Sequence, residues 1–347
     1  MPCAAAGNAA SCHLLWPEQR SAGRVVQRMP DLSIALIVTA IVLLAAAVLS
    51  LTLARQAEAQ HPSSGRFLTV NDVRLHYRDS GGKGVPVVLL HGNTVTFEDW
   101  QLSGVSAKAE RRYRVIAFDR PGFGYSQRPR LKLWTPGAQA DLIHEALASL
   151  GITRAIVVGH SFGALVAVAL AVRHPRLVQG LVAASGYYFP TFRLDALMVA
   201  PQALPVVGDL FRYTLSPLMG RVFAPLMMRV MFAPQQLPPR FVPTFLGLSI
   251  RPWQIRATVA DGSYMVPAAM SLSGRYREIG APTRIIAGNS DKIVSPSNQS
   301  DRLHGVIRQS RLRILPEAGH MVHYAMRDAI TEAIDEVASA PASSAVS

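Results

Sequence analysis

The chain has 347 residues, half of them hydrophobic, a formal charge of +13 and two cysteines, Cys3 and Cys12. That length accommodates one large α/β domain with an insertion and a tail, and the distant cysteines exclude a fold stapled by disulfides. The basic excess is 31 arginines against 4 lysines, scattered through the chain without interleaved stacking aromatics. No nucleic-acid partner is therefore expected. A coding bias toward arginine accounts for the charge, and attraction to anionic lipid headgroups is the alternative.

Residues 1–31 are rich in alanine and small polar residues, with Arg20, Arg24 and Arg28, and read as a disordered segment in which Met29 offers a second start. Residues 32–54 contain no charge, and a helix needs roughly 20 apolar residues to cross a bilayer of about 30 Å. The run reads as a transmembrane helix or signal-anchor. The flanking arginines place its N-terminal end in the cytoplasm and the rest of the chain outside. Ala57-Glu58-Ala59 resembles a signal-peptidase site, so cleavage after Ala59 and export as a soluble protein is the alternative.

After a polar linker over 55–65, Phe67-Leu68-Thr69-Val70 and the alternating Val73, Leu75 and Tyr77 predict a hairpin of two edge strands around Asn71-Asp72. The continuous apolar run over 86–90 reads as a strand covered on both faces, and 113–118 reads as the next buried strand. The first ends in His91-Gly92-Asn93 and the second in Asp119-Arg120-Pro121-Gly122-Phe123-Gly124. A helix is predicted over 139–150, stopped by Gly151, followed by strands over 155–158 and 181–184. Strands alternating with helices imply a mostly parallel sheet flanked by helices, with ligands at the carboxyl ends of the strands. From 186 to 280 the rhythm breaks into segments dense in proline, leucine, phenylalanine and methionine (198, 219, 227, 228, 231), read as an inserted helical lid. Strands over 283–287 and 311–315 and helices over 298–306 and 324–337 then complete a core formed by 66–185 and 281–338, before a disordered tail over 339–347.

The organising stretch is Gly159-His160-Ser161-Phe162-Gly163, between the strand at 155–158 and an apolar helix pattern over 164–172. Such a strand–turn–helix holds its serine at the apex of a tight turn, where flanking glycines allow strand and helix to approach closely. Ser161 also begins a helix, where free N–H groups favour negative charge. A serine nucleophile needs a base and a group that orients the base. Asp291 follows the strand at 283–287, and His320 follows the strand at 311–315, both at the sheet edge that carries Ser161. The expected roles are attack by Ser161, proton transfer by His320 and imidazole orientation by Asp291, with the backbone N–H groups of Asn93 and Phe162 as oxyanion donors. Glu317 and His323 are the rivals to Asp291 and His320. His91, Gly92, His160 and His323 are assigned to the substrate's surroundings, with His91 and His160 hydrogen-bonded near the site and His323 lining the pocket or facing solvent. Asp119 is expected to tie down its own turn. No metal cluster or nucleotide loop is legible, so no cofactor and no metal are expected.

These motifs together resemble the α/β-hydrolase superfamily over roughly residues 66–337. The resemblance implies the α/β-hydrolase fold and the Ser161–Asp291–His320 triad. His91-Gly92-Asn93 and the Asp-Arg-Pro-Gly turn resemble haloalkane dehalogenases and epoxide hydrolases, which attack with an aspartate where this chain has Ser161. What remains is similar to serine carboxylesterases, lipases, carbon–carbon bond hydrolases and cofactor-free haloperoxidases. The expectation is a membrane-anchored serine hydrolase taking a small lipophilic ester. Hydrolysis of a carbon–carbon bond of the meta-cleavage-product type and haloperoxidase-like chemistry are the alternatives.

Overall fold

A computed structural model describes residues 23–192, 202 and 204–340. It divides into two compact units, Met1–Ala45 and Ala46–Ser347. Helix α1 (Gly23–Gln60) begins in the first and ends in the second. Its Asp31–Gln60 part is long and apolar enough to cross a membrane, at about 45 Å by the helical rise. In the first unit Leu32, Ile34, Leu36, Ile37 and Ile41 lie exposed.

The helix corrects two boundaries. Residues 23–31 are helical rather than structureless, and residues 55–60 continue α1 rather than forming a linker. Arg55-Gln56-Ala57-Glu58-Ala59-Gln60 consists of good helix formers, and Ala54 and Ala57 are buried. The expectations for residues 1–22, for Met198 and for the tail from 341 fall outside the described residues.

In the second unit an eight-stranded sheet has the order β1-β2-β4-β3-β5-β6-β7-β8. The strands are β1 (Arg66–Val70), β2 (Val73–Asp79), β3 (Pro86–Leu90), β4 (Arg114–Phe118), β5 (Ala155–His160), β6 (Val178–Ala184), β7 (Thr283–Gly288) and β8 (Ser310–Leu315). β1 and β2 form the expected antiparallel hairpin, but only β1 is an edge, because β2 also pairs antiparallel with β4. From β4 to β8 every pairing is parallel.

Alternation along the central strands divides the core in two. Val88, Leu90 and Val157 enter one apolar cluster, while Val87, Leu89, Ile156 and Val158 enter the other. The first is closed by α4 (Pro136–Ser149) and α5 (Phe162–Arg173), and α5 is buried from Phe162 to Val172. The second is closed by α3 (Val105–Ala109) and the amphipathic α12 (Arg327–Ser339), whose Ile330 and Ile334 are fully buried. Each such isoleucine contributes roughly 1.5–3 kcal/mol of burial. α4 starts three residues before the apolar pattern because Thr135 caps it, accepting from the Ala138 N–H at 3.2 Å, with Pro136 at its first position. The five-residue helices α2 (Glu98–Leu102) and α3 lie where none was expected.

Between β6 and β7 the described residues form α6 (Val207–Tyr213), α7 (Leu215–Phe232), α8 (Phe241–Ser249) and α9 (Pro252–Ser273), with no strand among them. This helical insertion joins the sheet's loops through a third cluster containing Val95, Phe232, Phe241, Phe245 and Met321. The remaining helices are α10 (Ser300–Val306) and α11 (Val322–Ala325); the pattern over 324–337 is broken at Met326 into α11 and α12.

Candidate active site

Ser161 stands between β5 and α5 with φ 54° and ψ −121°, a conformation that L-residues avoid without support. The support is packing. A Cβ at Gly159 would collide with the carbonyl of Gly163, and one at Gly163 would collide with the carbonyls of Leu90 and His91. The Ser161 N–H is also tied to the Ala184 carbonyl of β6 at 2.9 Å.

Ser161, His320 and Asp291 form a hydrogen-bonded line. Ser161 Oγ lies 3.0 Å from His320 Nε2, and His320 Nδ1 lies 2.8 Å from Asp291 Oδ2. The other carboxylate oxygen of Asp291 accepts from the N–H groups of Ile293 and Val294 at 2.8 and 2.9 Å. The His320 and Asp291 side chains are buried. Gln235 of the insertion accepts from the Gly319 N–H at 3.1 Å, so the insertion helps to hold the turn that carries His320. Glu317, the rival acid, has a positive φ of 50° in that same turn.

The Asn93 loop is held from beneath by Arg120. Its guanidinium donates to the carbonyls of His91 and Gly92 at 2.8 and 3.1 Å and to Asn93 Oδ1 at 2.9 Å. The same group donates to Gln139 at 2.9 Å and to Asp261 of α9 at 2.6 Å. Asp261 also accepts from Arg128 at 2.9 Å. Burial pulls the Arg120 guanidinium below its ordinary value, and the Asp261 charge opposes this. The backbone N–H groups of Asn93 and Phe162 have no hydrogen-bond partner among the described residues. Gly92 lies against Ser161: a Cβ there would sit 3.1 Å from the serine Cβ.

Three histidines placed in the substrate's surroundings are buried: His91, His160 and His323 are 0, 1 and 0 % exposed. His91 Nδ1 donates to the Gly92 carbonyl at 2.7 Å, and its Nε2 accepts from the Arg120 N–H at 2.9 Å. Burial, then the Arg120 charge, pushes His91 down to about 4, so the ring is neutral. His160 Nε2 donates to the His320 carbonyl at 3.0 Å, and burial with the neighbouring imidazoles of His323 and His320 holds it well below the usual value. His323 neither lines a pocket nor meets solvent; it donates to Asp99 at 2.9 Å, and the Tyr324 hydroxyl donates to the other Asp99 oxygen at 2.8 Å. Asp99, His160 and His323 offer ligand atoms within 4.8 Å of one another, the one grouping of metal-ligand residue types among the described residues. Its carboxylate is already engaged by His323 and Tyr324.

Asp119 binds its own turn through the Tyr125 N–H at 3.0 Å and reaches further, to the Phe97 N–H at 2.8 Å and His76 Nδ1 at 2.6 Å. Sequence reasoning missed Arg120, Asp99 and Asp261. Asp261 carries a usable signal: it is the only carboxylate between residues 210 and 277, and an isolated acid in an apolar helical stretch needs a buried partner.

Beside Thr94 a cavity of about 140 Å³ opens between α7, α8 and α9. Met227, Met228 and Met231 form one wall, Ile250 and Val259 the other, and Thr94 joins it to the Asn93 loop. No charged side chain lines it.

Residues 85–325 match the family model described as the alpha/beta hydrolase fold. Among curated relatives, the 2-hydroxymuconate semialdehyde hydrolase of Pseudomonas sp. (strain CF600) is 30% identical over 273 residues, covering 76% of this chain and 90% of that one. The 2-hydroxy-6-oxo-2,4-heptadienoate hydrolase of Pseudomonas putida is 31% identical over 269 residues, covering 74% and 90%. Among solved structures, a membrane phospholipase A described as a bacterial virulence factor superposes with a TM-score of 0.63 at 22% identity, covering 91% of this chain and all of that one.

Proposed function

The chain belongs to the α/β-hydrolase family, and from that premise we propose that it is a membrane-anchored serine hydrolase that cleaves a lipophilic carboxylic ester through an acyl-enzyme. Ser161 Oγ attacks the ester carbonyl while its proton passes to His320 Nε2. Asp291, held by two backbone N–H groups, fixes the imidazole tautomer and stabilises the cation that forms. The negative oxygen of the tetrahedral intermediate is met by the N–H groups of Asn93 and Phe162, each such donor contributing about 3–4 kcal/mol in acyl transfer. Collapse expels the alcohol, which takes the proton from His320. Water, deprotonated by the same imidazole, then attacks the acyl carbonyl and releases the acid and Ser161.

The observation that carries this reading is the Ser161–His320–Asp291 line on a strained elbow. The uncharged, methionine-walled cavity beside the oxyanion loop supports an apolar acyl or alcohol group. Membrane attachment is supported by the exposed apolar side chains of α1. An uncleaved anchor is supported by Glu58, whose carboxylate meets the buried Arg251 at 2.7 Å, and by Ala57, which packs on Gly247. A position of the hydrolase domain outside the cytoplasm is supported by the arginines before the span.

The names of the two curated relatives favour a second reading, hydrolysis of a carbon–carbon bond in a vinylogous diketone. Such substrates are carboxylates, and the cavity offers them no cation. A panel of p-nitrophenyl esters of graded chain length, run beside a ring-cleavage diketone acid, separates the two. The ester reading expects turnover that rises with acyl length and none of the diketone; preference for the diketone overturns it.

A further inference from the structure

Taking α1 as a membrane span, we propose that the outward face of α6 and α7 is a second lipid-contact surface, which opens the methionine-walled cavity into the bilayer interface. On α7 the exposed apolar side chains are Leu215, Met219, Val222, Phe223, Leu226 and Met227, with Val222 at 69% and Leu226 at 60%. Their spacing covers one helical face, while Pro217, Met228 and Phe232 of the same helix are buried. Val207, Leu210 and Phe211 of α6 extend the exposed apolar surface. A continuous patch of this kind on a water-facing surface marks an interaction site.

Two observations select lipid as the occupant. The first is charge. Asp209, the one acid on α6 and α7, is held by Arg130 and Arg212, and Arg221 and Arg229 stand exposed on α7. An apolar face edged by arginines fits the layer between acyl chains and anionic headgroups. The second is continuity with α1. The uncharged run 32–54 of α1 is long enough as helix, about 35 Å, to cross the hydrocarbon layer. Ser50, in the last two turns of that run, is buried and donates to the carbonyl of Thr214, the residue joining α6 to α7. The α6–α7 corner thus meets α1 in the last two turns of that uncharged run. Met227 is both a wall of the cavity and 55% exposed on this face, so a lipid-borne ester reaches the cavity there without crossing water.

The test uses the full chain with Cys3→Ala and Cys12→Ala, reconstituted in phosphatidylcholine–phosphatidylglycerol vesicles. Nitroxide labels are placed at Val222→Cys, Leu226→Cys and, as a water-facing control, Arg308→Cys. Labels at 222 and 226 are expected to collide more with oxygen than with a nickel chelate, and the label at 308 the reverse. Chelate access at 222 and 226 equal to that at 308 overturns the proposal. So does spin–spin broadening between copies at those positions, which would mean that a second chain covers the face. In a second arm, Phe223→Asp with Leu226→Asp should lower hydrolysis of a vesicle-borne long-chain ester about tenfold and leave a soluble acetate ester within about twofold. Equal rates on the vesicle-borne ester also overturn it. The label measurement needs no catalysis, so it decides the surface even if the ester reading fails.

Discussion

Asp261 faces two guanidiniums, Arg120 at 2.6 Å and Arg128 at 2.9 Å, with all three side chains almost fully buried. Asp261→Asn would leave two buried cations without a counter-charge, and removing one partner of a buried pair costs about 3–5 kcal/mol. The expected result is a urea midpoint lowered to match, and an unchanged midpoint would show that Arg120 has other compensation. At the reaction centre, Asp291→Asn keeps the shape but replaces the acceptor that faces His320 Nδ1. Turnover of the preferred ester should fall about ten-thousandfold with little change in KM, and a loss confined to KM would place Asp291 outside the proton path. Ser161, Asp291 and His320 were legible because each follows a strand, in a motif that geometry constrains. The Arg120–Asp261 and Asp99–His323 pairs were not, since their members are 141 and 224 residues apart and neither has a spacing rule.

At the scale of elements, the last turns of α1 are tied to the insertion and to the core. Glu58 pairs with Arg251, and the Tyr125 hydroxyl donates to the carbonyl of His61. Arg251 keeps bonds to Leu248, Gly124 and Gln254 when Glu58 is removed. Glu58→Ala should therefore cost only about 1–3 kcal/mol, read as a lower thermal midpoint of the full chain in detergent. A larger collapse would mean that α1 carries more of the fold than these contacts imply. Period and strand runs made β3 to β8, α4 and α5 readable in sequence. The five-residue α2 and α3 are too short to display a period, and the antiparallel pairing of β2 with β4 depends on contacts that no local pattern encodes. The helical continuation through residues 55–60 was masked by their polarity, although every residue there favours helix.

For the whole molecule, two buried neutral histidines govern stability in mild acid. His91 is pushed down to about 4 and His160 well below its usual value, whereas both titrate near 6.5 in the unfolded chain. Between about pH 6.5 and about pH 4 the unfolded state binds more protons, so stability falls as pH falls, by up to about 1.4 kcal/mol per pH unit for each histidine. Above about pH 7 neither contributes a slope. Urea midpoints that stay flat between about pH 7 and about pH 5 would contradict the neutral burial of both rings. The central claim is that one serine among many is made nucleophilic. Treating the full chain with a fluorophosphonate and sequencing its peptides by mass spectrometry tests it most directly. A single phosphonyl adduct on Ser161, absent from Ser161→Ala, is the predicted result; an unlabelled wild type, or a label that survives Ser161→Ala, would contradict it.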